Sequence, residues 1–397
     1  MFYHKKAIPD YNVPTMMNKQ LQEGTLTLFL EGEINSNNSE AIGAEIDKAI
    51  EGETFSKLVF DFKNVVYVSS AGLRIILRFK QKYPLSIVNV SVEVYDVFQM
   101  TGFTSIMPIS KILRVVNVTK DQLIGEGYFS YVYRIDKDTI VKVFKFANDT
   151  SDIEREMSLA REAFILGIPT AITFDIVRVG DKYGVQFEML DSVSLRDELK
   201  NHPEEFDKIC KDYANLLKII NTTSTDNPAL PSAKAHFMKK YELAKEYLTE
   251  EESKKLLSLL EAIPERRTFV HGDCHVKNIL IQNGEMFLID MDSLSVGDPI
   301  FELAGIHSTY IAFEDSTPGN NEVFLGLPAK LCSDLLRQTI TYYFGGWDED
   351  KWNAIRLISY VHMIWWNKTF SYDQHRHDVC LSRVKELLPL VNNVALS

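Results

Sequence analysis

The stretch HGDCHVKN at residues 271–278 sets a carboxylate, Asp273, five positions ahead of an amide, Asn278. Further on, FLIDMD at 287–292 carries Asp290 at the end of an apolar run. Phosphoryl transfer needs such a set. One carboxylate orients and deprotonates an acceptor hydroxyl, while an amide oxygen and a second carboxylate hold Mg2+ on the phosphates. Asp273 is therefore expected as the base, with Asn278 and Asp290 as metal ligands. Two capped turns rich in Asp and Asn would look alike piece by piece. Their order and the strand pair between them favour the chemical reading.

Upstream, Gly125-x-Gly127-x-x-Ser130 separates two strand-like runs. Small residues at such a turn let backbone N–H groups approach a triphosphate. Gly-x-Gly alone is more often a plain hairpin, and Ser130 stands where a third glycine is usual. Lys142, inside the apolar run DTIVKVF, strengthens the phosphate reading, because its charge suits both phosphates and a helix glutamate. Glu154, Glu156 and Glu162 all lie on the next helical stretch. Glu156, mid-helix beside Met157, is the expected partner, and a solvated charged face accounts for the other two. QFEML at 186–190 reads as a linker between two lobes, where backbone groups from Glu188 to Leu190 could meet an adenine edge. An apolar strand end would look the same.

The elements that must position these residues fall into two regions. GTLTLFLEGEI at 24–34 alternates as a half-buried strand does. Ile42, Ile46 and Ile50 form a helical stripe over 39–51, with Ser39 expected as its N-cap. KLVFDF at 57–62 reads as a strand, SSAGLRIIL opens a helix, SIVNVSVEVY reads as another strand, and DVFQMTGF as a last short helix. This order indicates a small α/β domain ending near residue 112, with the junction at 113–119. The second region begins with strands at LIGEGYFSYVYRI and DTIVKVFKF. A helix over 151–167 is stopped by Gly167 and Pro169. Strands follow at 172–178 and 183–189, and helices over 195–262. Residues 269–292 read as a hairpin-like stretch turning at Asn283-Gly284, and the remainder is mainly helical.

The chain has 397 residues and a formal charge of −12. Residues 1–110 carry −2 of this, so −10 belongs to the rest. Such acidity argues against nucleic-acid binding, for want of positive charge to displace counterions. No apolar window nears the length a bilayer needs, so no membrane association is expected. Residues 1–14 hold two lysines with no apolar run behind them, unlike a signal peptide. The four cysteines, Cys210, Cys274, Cys332 and Cys380, are far apart, which suits a reducing compartment and a cytoplasmic protein. His375-x-His377 reads as polar surface rather than a metal site, and Trp365 and Trp366 beside Met363 as helix core. Cys274, within the Asp273 loop, is not needed as a nucleophile.

HGDCHVKNIL, LIDMDS and VGDPIFELA resemble the signatures of the aminoglycoside phosphotransferase and choline kinase group, within the protein-kinase-like fold, over roughly residues 120–370. The resemblance implies ATP, Mg2+ and transfer of the γ-phosphate to a hydroxyl. It sets Asp273 on the catalytic aspartate, Asn278 and Asp290 on the metal ligands, Lys142 on the ATP lysine and Asp298 on a structural aspartate. Glu302 stands where aspartate is common.

Residues 16–112 are similar to STAS domains, the fold of anti-sigma-factor antagonists, through GEINSNNSEAI, LVFDFKNVVYVSSAGLRIIL and VFQMTGF. The likeness sets Ser70 on the serine that is phosphorylated in such domains, with Ser69 and Asn35 standing where aspartates are common. The resulting expectation is an α/β plus α+β chain. A STAS domain occupies 16–112, and a bilobal kinase-like phosphotransferase occupies 119–390. The expected acceptor is a small hydroxylated molecule, with a cationic one suiting the acidity, and a protein partner is expected at the STAS domain. Rival readings are a serine kinase acting on STAS-type proteins, Ser70 included, and a nucleotide-binding scaffold with little catalysis.

Overall fold

The computed structural model describes residues 18–127, 129–147 and 150–396. The expectation for residues 1–14, the first two residues of the 16–112 domain and Tyr128 of the glycine turn lie outside the described residues. The chain divides into two compact units between Val115 and Val116.

The first unit is a mixed sheet covered by helices. Strands Thr25–Ile34, Lys57–Val68, Leu85–Val90 and Ile109–Lys111 are parallel neighbours in that order, and Asn18–Gln22 pairs antiparallel on the outer edge of the first. Parallel strands are buried on both faces, which explains the unbroken apolar runs. Leu58, Phe60 and Phe62 are fully buried, and Phe79 and Phe98 pack onto them from helices Ser70–Lys82 and Val92–Met100.

Two local expectations fail here. Ser39 is not an N-cap: Asn38 holds that position, and Ser39 is the buried first residue of the helix Ser39–Ile50. SIVNVSVEVY is not one strand. The strand ends at Val90, and Ser91 caps a helix by accepting the Val94 amide. Val92 and Val94 imitate a strand's two-residue period, but the cap decides the local structure.

The second unit begins with an antiparallel sheet in which Thr173–Val179, Lys182–Glu188, Thr139–Phe144, Ser130–Arg134 and Leu123–Glu126 are successive neighbours. The helix Ser151–Ile165 follows the third of these along the chain, and Gly167, at φ +91°, lies just past its end. That helix serves two cores. Ile153 and Met157, from its first half, pack with Val185 of the sheet. Leu159, Ala160 and Ala163, from its second half, join a large helical core with Leu217, Leu303 and Ile358. Between the helices lies a hairpin of Ile279–Gln282 and Glu285–Leu288, turning through Asn283 at φ +52° and Gly284 at φ +82°. Two successive positive φ angles are what a two-residue primed turn requires, and Asn-Gly is the pair that adopts them with least strain. Among the described residues, no helix is long and apolar enough to cross a membrane.

Candidate active site

The hairpin decides where the metal-ligand candidates meet. Asn278 precedes its first strand and Asp290 follows its second. The Ile289 amide donates to the Asn278 carbonyl at 3.0 Å, which continues the ladder to the base of the site and leaves Asp290 beside it. Asp290 itself has φ +67° and ψ +70°, a left-handed conformation unusual for a residue with a Cβ. Its carboxylate accepts from the Lys142 ammonium at 2.6 Å. Lys142, on the strand Thr139–Phe144, also lies 3.3 Å from Glu156 Oε1. One lysine thus ties the sheet to the helix and to the Asp290 turn.

Burial opposes the Lys142 charge, but Asp290, Glu156 and Asp292 more than offset it, and its pKa lies above the usual lysine value. Glu156 is pushed upward by burial, with Lys142 acting against that shift.

Asp273 is held from both sides. Asn278 Nδ2 donates to Asp273 Oδ2 at 2.9 Å and to the Asp273 carbonyl at 3.0 Å. His275 Nδ1 accepts the Lys277 amide at 3.3 Å, so its proton is on Nε2, which faces Asp273 Oδ1 at 3.5 Å. Burial pushes His275 down to about 4, so its ring is neutral near pH 7. The Asp273 side chain retains 43 % of its surface, yet desolvation is the largest influence on it. Its pKa is pushed up to about 6, against the neighbouring His271 and Asn278. A carboxylate near 6 is a stronger base than an ordinary one and is still mostly ionised near neutrality.

The loop is anchored beneath by residues that local spacing did not single out for this. Glu302, fully buried, accepts the amides of His271 and Gly272. His271 Nδ1 accepts the Asp273 amide, and its Nε2 donates to the Ile289 carbonyl at 3.2 Å. Asp298, also fully buried, caps the helix Pro299–His307 through the Ile300 amide and receives Arg266 Nε at 3.1 Å. It is a structural residue of the fold.

Several expected positions look different in the structure. The Gly127 amide donates to the Ser130 carbonyl at 2.9 Å, so Gly125, Gly127 and Ser130 form a hairpin whose Gly127 N–H is already engaged. Lys145 closes that turn, bonding the Gly127 carbonyl and Glu126 Oε1 at 2.8 Å each. Of the backbone donors from Glu188 to Leu190, the Glu188 amide goes to the Ile172 carbonyl and the Met189 amide to Asp138. The Glu188 carboxylate accepts the Ile172 amide, and Leu190 is buried. An adenine edge would therefore have to find carbonyl groups rather than those two amides.

Glu162 is not part of a solvated face. Its carboxylate receives Thr225 Oγ1 and Asn227 Nδ2 from the helical side. His377 is buried, stacked edge-on against Tyr247 at 4.3 Å, and so is not polar surface. Trp365 and Trp366 are half-buried, not core. In the first unit, Ser69 is the N-cap, accepting the Gly72 amide at 3.3 Å, and Ser70 is the exposed first residue of its helix.

The site suits a hard cation carried in on phosphates. Among the described residues, no three His, Cys, Asp or Glu side chains cluster to hold a metal by themselves. The Asn278 amide nitrogen is committed to Asp273, which leaves Oδ1 as the atom available to a cation. With Asp290 this makes a two-residue oxygen set, and Mg2+ is commonly bound by so few protein ligands because phosphates and water complete its shell.

Comparison with known proteins bears on both units. The model of the phosphotransferase enzyme family (APH) matches residues 121–332, and the STAS domain model matches residues 16–115. A protein of Bordetella bronchiseptica described as the anti-sigma factor antagonist BtrV is 33% identical over 94 residues, which cover 22% of this chain and 79% of that one. Among solved structures, the ADP-bound aminoglycoside phosphotransferase APH(2'')-Ib has a TM-score of 0.45 at 17% identity, covering 68% of this chain and 92% of that one. A choline/ethanolamine kinase family protein from Mesorhizobium loti has a TM-score of 0.45 at 14% identity, covering 67% and 87%.

Proposed function

Because the chain belongs to the phosphotransferase enzyme family and carries a STAS domain ahead of that region, we propose that it moves the γ-phosphate of Mg·ATP to a hydroxyl of a small acceptor. The observation that carries this reading is one continuous bonded set: Glu156, Lys142, Asp290, and, through Ile289, Asn278 and Asp273. Bound Mg2+ would supply charge neutralisation across the phosphates, held by Asn278 Oδ1 and Asp290. Lys142 sets the phosphate position as a point charge, with Glu156 fixing the ammonium. Asp273 accepts the proton of the acceptor hydroxyl as the oxygen attacks, and Asn278 holds one of its carboxylate oxygens in place while His275 lies beside the other. A cationic acceptor suits the excess of acidic residues after residue 110. The STAS unit is a docking module for a protein partner, with Ser70 exposed at a helix start where phosphorylation would add charge.

The test is ATP consumption by the full chain against hydroxylated amines, sugars and STAS proteins. Asp273→Asn should cut turnover about a hundredfold or more while leaving Mg·ATP affinity by calorimetry unchanged. Wild-type turnover in that variant, with the acceptor that best stimulates the enzyme, would remove Asp273 from its role. Label from ATP appearing on Ser70, and lost in Asp273→Asn, would replace the small acceptor with a protein serine.

A further inference from the structure

The catalytic-loop backbone is held at one further place, by two buried tyrosines far from it in sequence. Tyr213, on the helix Phe206–Thr222, donates its hydroxyl to the Cys274 carbonyl. Tyr310 accepts the Val276 amide at 3.0 Å. Both residues are essentially without exposed surface. Val276 N–H donates to Tyr310, and Tyr213 O–H donates to the Cys274 carbonyl. The two bonds fall on a carbonyl and an amide that flank His275, immediately after Asp273.

Tyr310 reaches this position because the helix carrying it is not a regular α-helix. After Pro299–His307 the backbone widens into a π-helical turn, Ser308–Ala312, before Phe313–Ser316. Glu302, which holds His271 and Gly272, is eight residues before Tyr310. At about 3.6 residues per turn, seven residues return to nearly the same face and eight do not. The wider turn takes up the extra residue, so one rod presents both groups to the same loop. Asn321 Nδ2 fixes the turn by donating to the Tyr310 carbonyl at 2.7 Å, and Ser308 Oγ closes its start on the Ala304 carbonyl at 2.8 Å.

We propose that Tyr310 and Tyr213 are a pair of positioning residues that hold the Cys274–Val276 backbone, so that Asp273 and Asn278 keep the setting phosphoryl transfer requires. This rests on the phosphotransferase reading for its effect on rate, but not for its effect on the loop. Neither tyrosine has surface open to a substrate. Both bonds fix the same three-residue stretch of backbone, so removing either hydroxyl should release the whole clamp.

The experiment uses the full chain with Tyr310→Phe, Tyr213→Phe and the double variant. Two quantities are read: amide hydrogen exchange of the peptide spanning 271–278, and steady-state ADP release from Mg·ATP. Each single variant should speed exchange in that peptide about tenfold while distant peptides keep their rates. The ADP-release kcat should fall about tenfold with the ATP KM within about twofold, the pattern of lost transition-state positioning. The double variant should be no worse than the worse single one. A role confined to packing would lower global stability and speed exchange everywhere. Unchanged exchange at 271–278 in both single variants overturns the clamp, as does additive damage in the double. If the wild type releases no ADP under any condition, the phosphotransferase reading fails, while exchange still decides the clamp. Should Tyr310→Phe fail to fold, Tyr213→Phe removes the clamp's other bond.

Discussion

Glu302 shows how a single side chain can carry charge in the wrong place for stability and the right place for geometry. It is fully buried, with two backbone amides as its partners, and its pKa is pushed up to about 7, chiefly by burial. The folded protein therefore keeps a proton on this group between pH 4.5, the ordinary value, and about 7, where an unfolded chain has lost it. For an acid raised in this way, stability is greatest below that window and falls as pH rises through it. The shift corresponds to about 3 kcal/mol. Glu302→Gln should flatten that fall between pH 4.5 and 8. Tryptophan fluorescence in urea can follow it, because Trp347, Trp352, Trp365 and Trp366 all lie in the second unit. An unchanged pH slope would mean the proton resides elsewhere. At this scale the short-range spacing was informative: Asp273 and Asn278 sit five apart on one loop, and Asp290 one hairpin further on. The partners were not legible, since the contacts of Glu302, Tyr213 and Tyr310 with the loop span about 30 to 60 residues. Periodicity reports which face of an element is apolar, not which distant backbone group a polar atom will meet.

The element that most affects the site is the helix Ser151–Ile165, because it belongs to two cores at once. Its first half holds Glu156 against Lys142, and its second half is tied through Glu162 to Thr225 and Asn227. The tether restricts the helix to one setting, and with it the Lys142–Glu156 contact. Glu162→Ala should leave the Thr225 and Asn227 donors to water, costing about 1 kcal/mol of stability. It should also raise the ATP KM several-fold, with the acceptor KM unchanged. An unaffected ATP KM would show that the sheet contacts of Ile153 and Met157 suffice. The helix was plain in the sequence, from its period and from Gly167 at its end. The tether was not, because a glutamate bonded across the fold and one facing water have the same pattern along the chain. The misread at SIVNVSVEVY has a related cause: β-branched residues follow either period over five positions, and only the Ser91 cap separates strand from helix.

Each of the two units contains its own core. In the first, buried side chains from Leu26 to Met107 form one cluster with no member beyond it. Residues 1–115 expressed alone should therefore fold, showing a cooperative urea transition and a dispersed amide spectrum. A non-cooperative melt would undo the division between Val115 and Val116. Ser70→Asp in that fragment should alter partner binding while moving its melting temperature by only a few degrees, since Ser70 is exposed and Ser69, not Ser70, caps the helix. Cysteine is distributed as unevenly as charge. Cys210, Cys274, Cys332 and Cys380 all belong to the second unit, and all four are buried. Burial pushes Cys210, Cys332 and Cys380 up to about 12, and Cys274 upward as well. A thiol reagent added to the intact chain then has no thiolate to attack until the second unit opens. The rate at which colour develops is a clock for that opening alone, and the first unit contributes no signal to it.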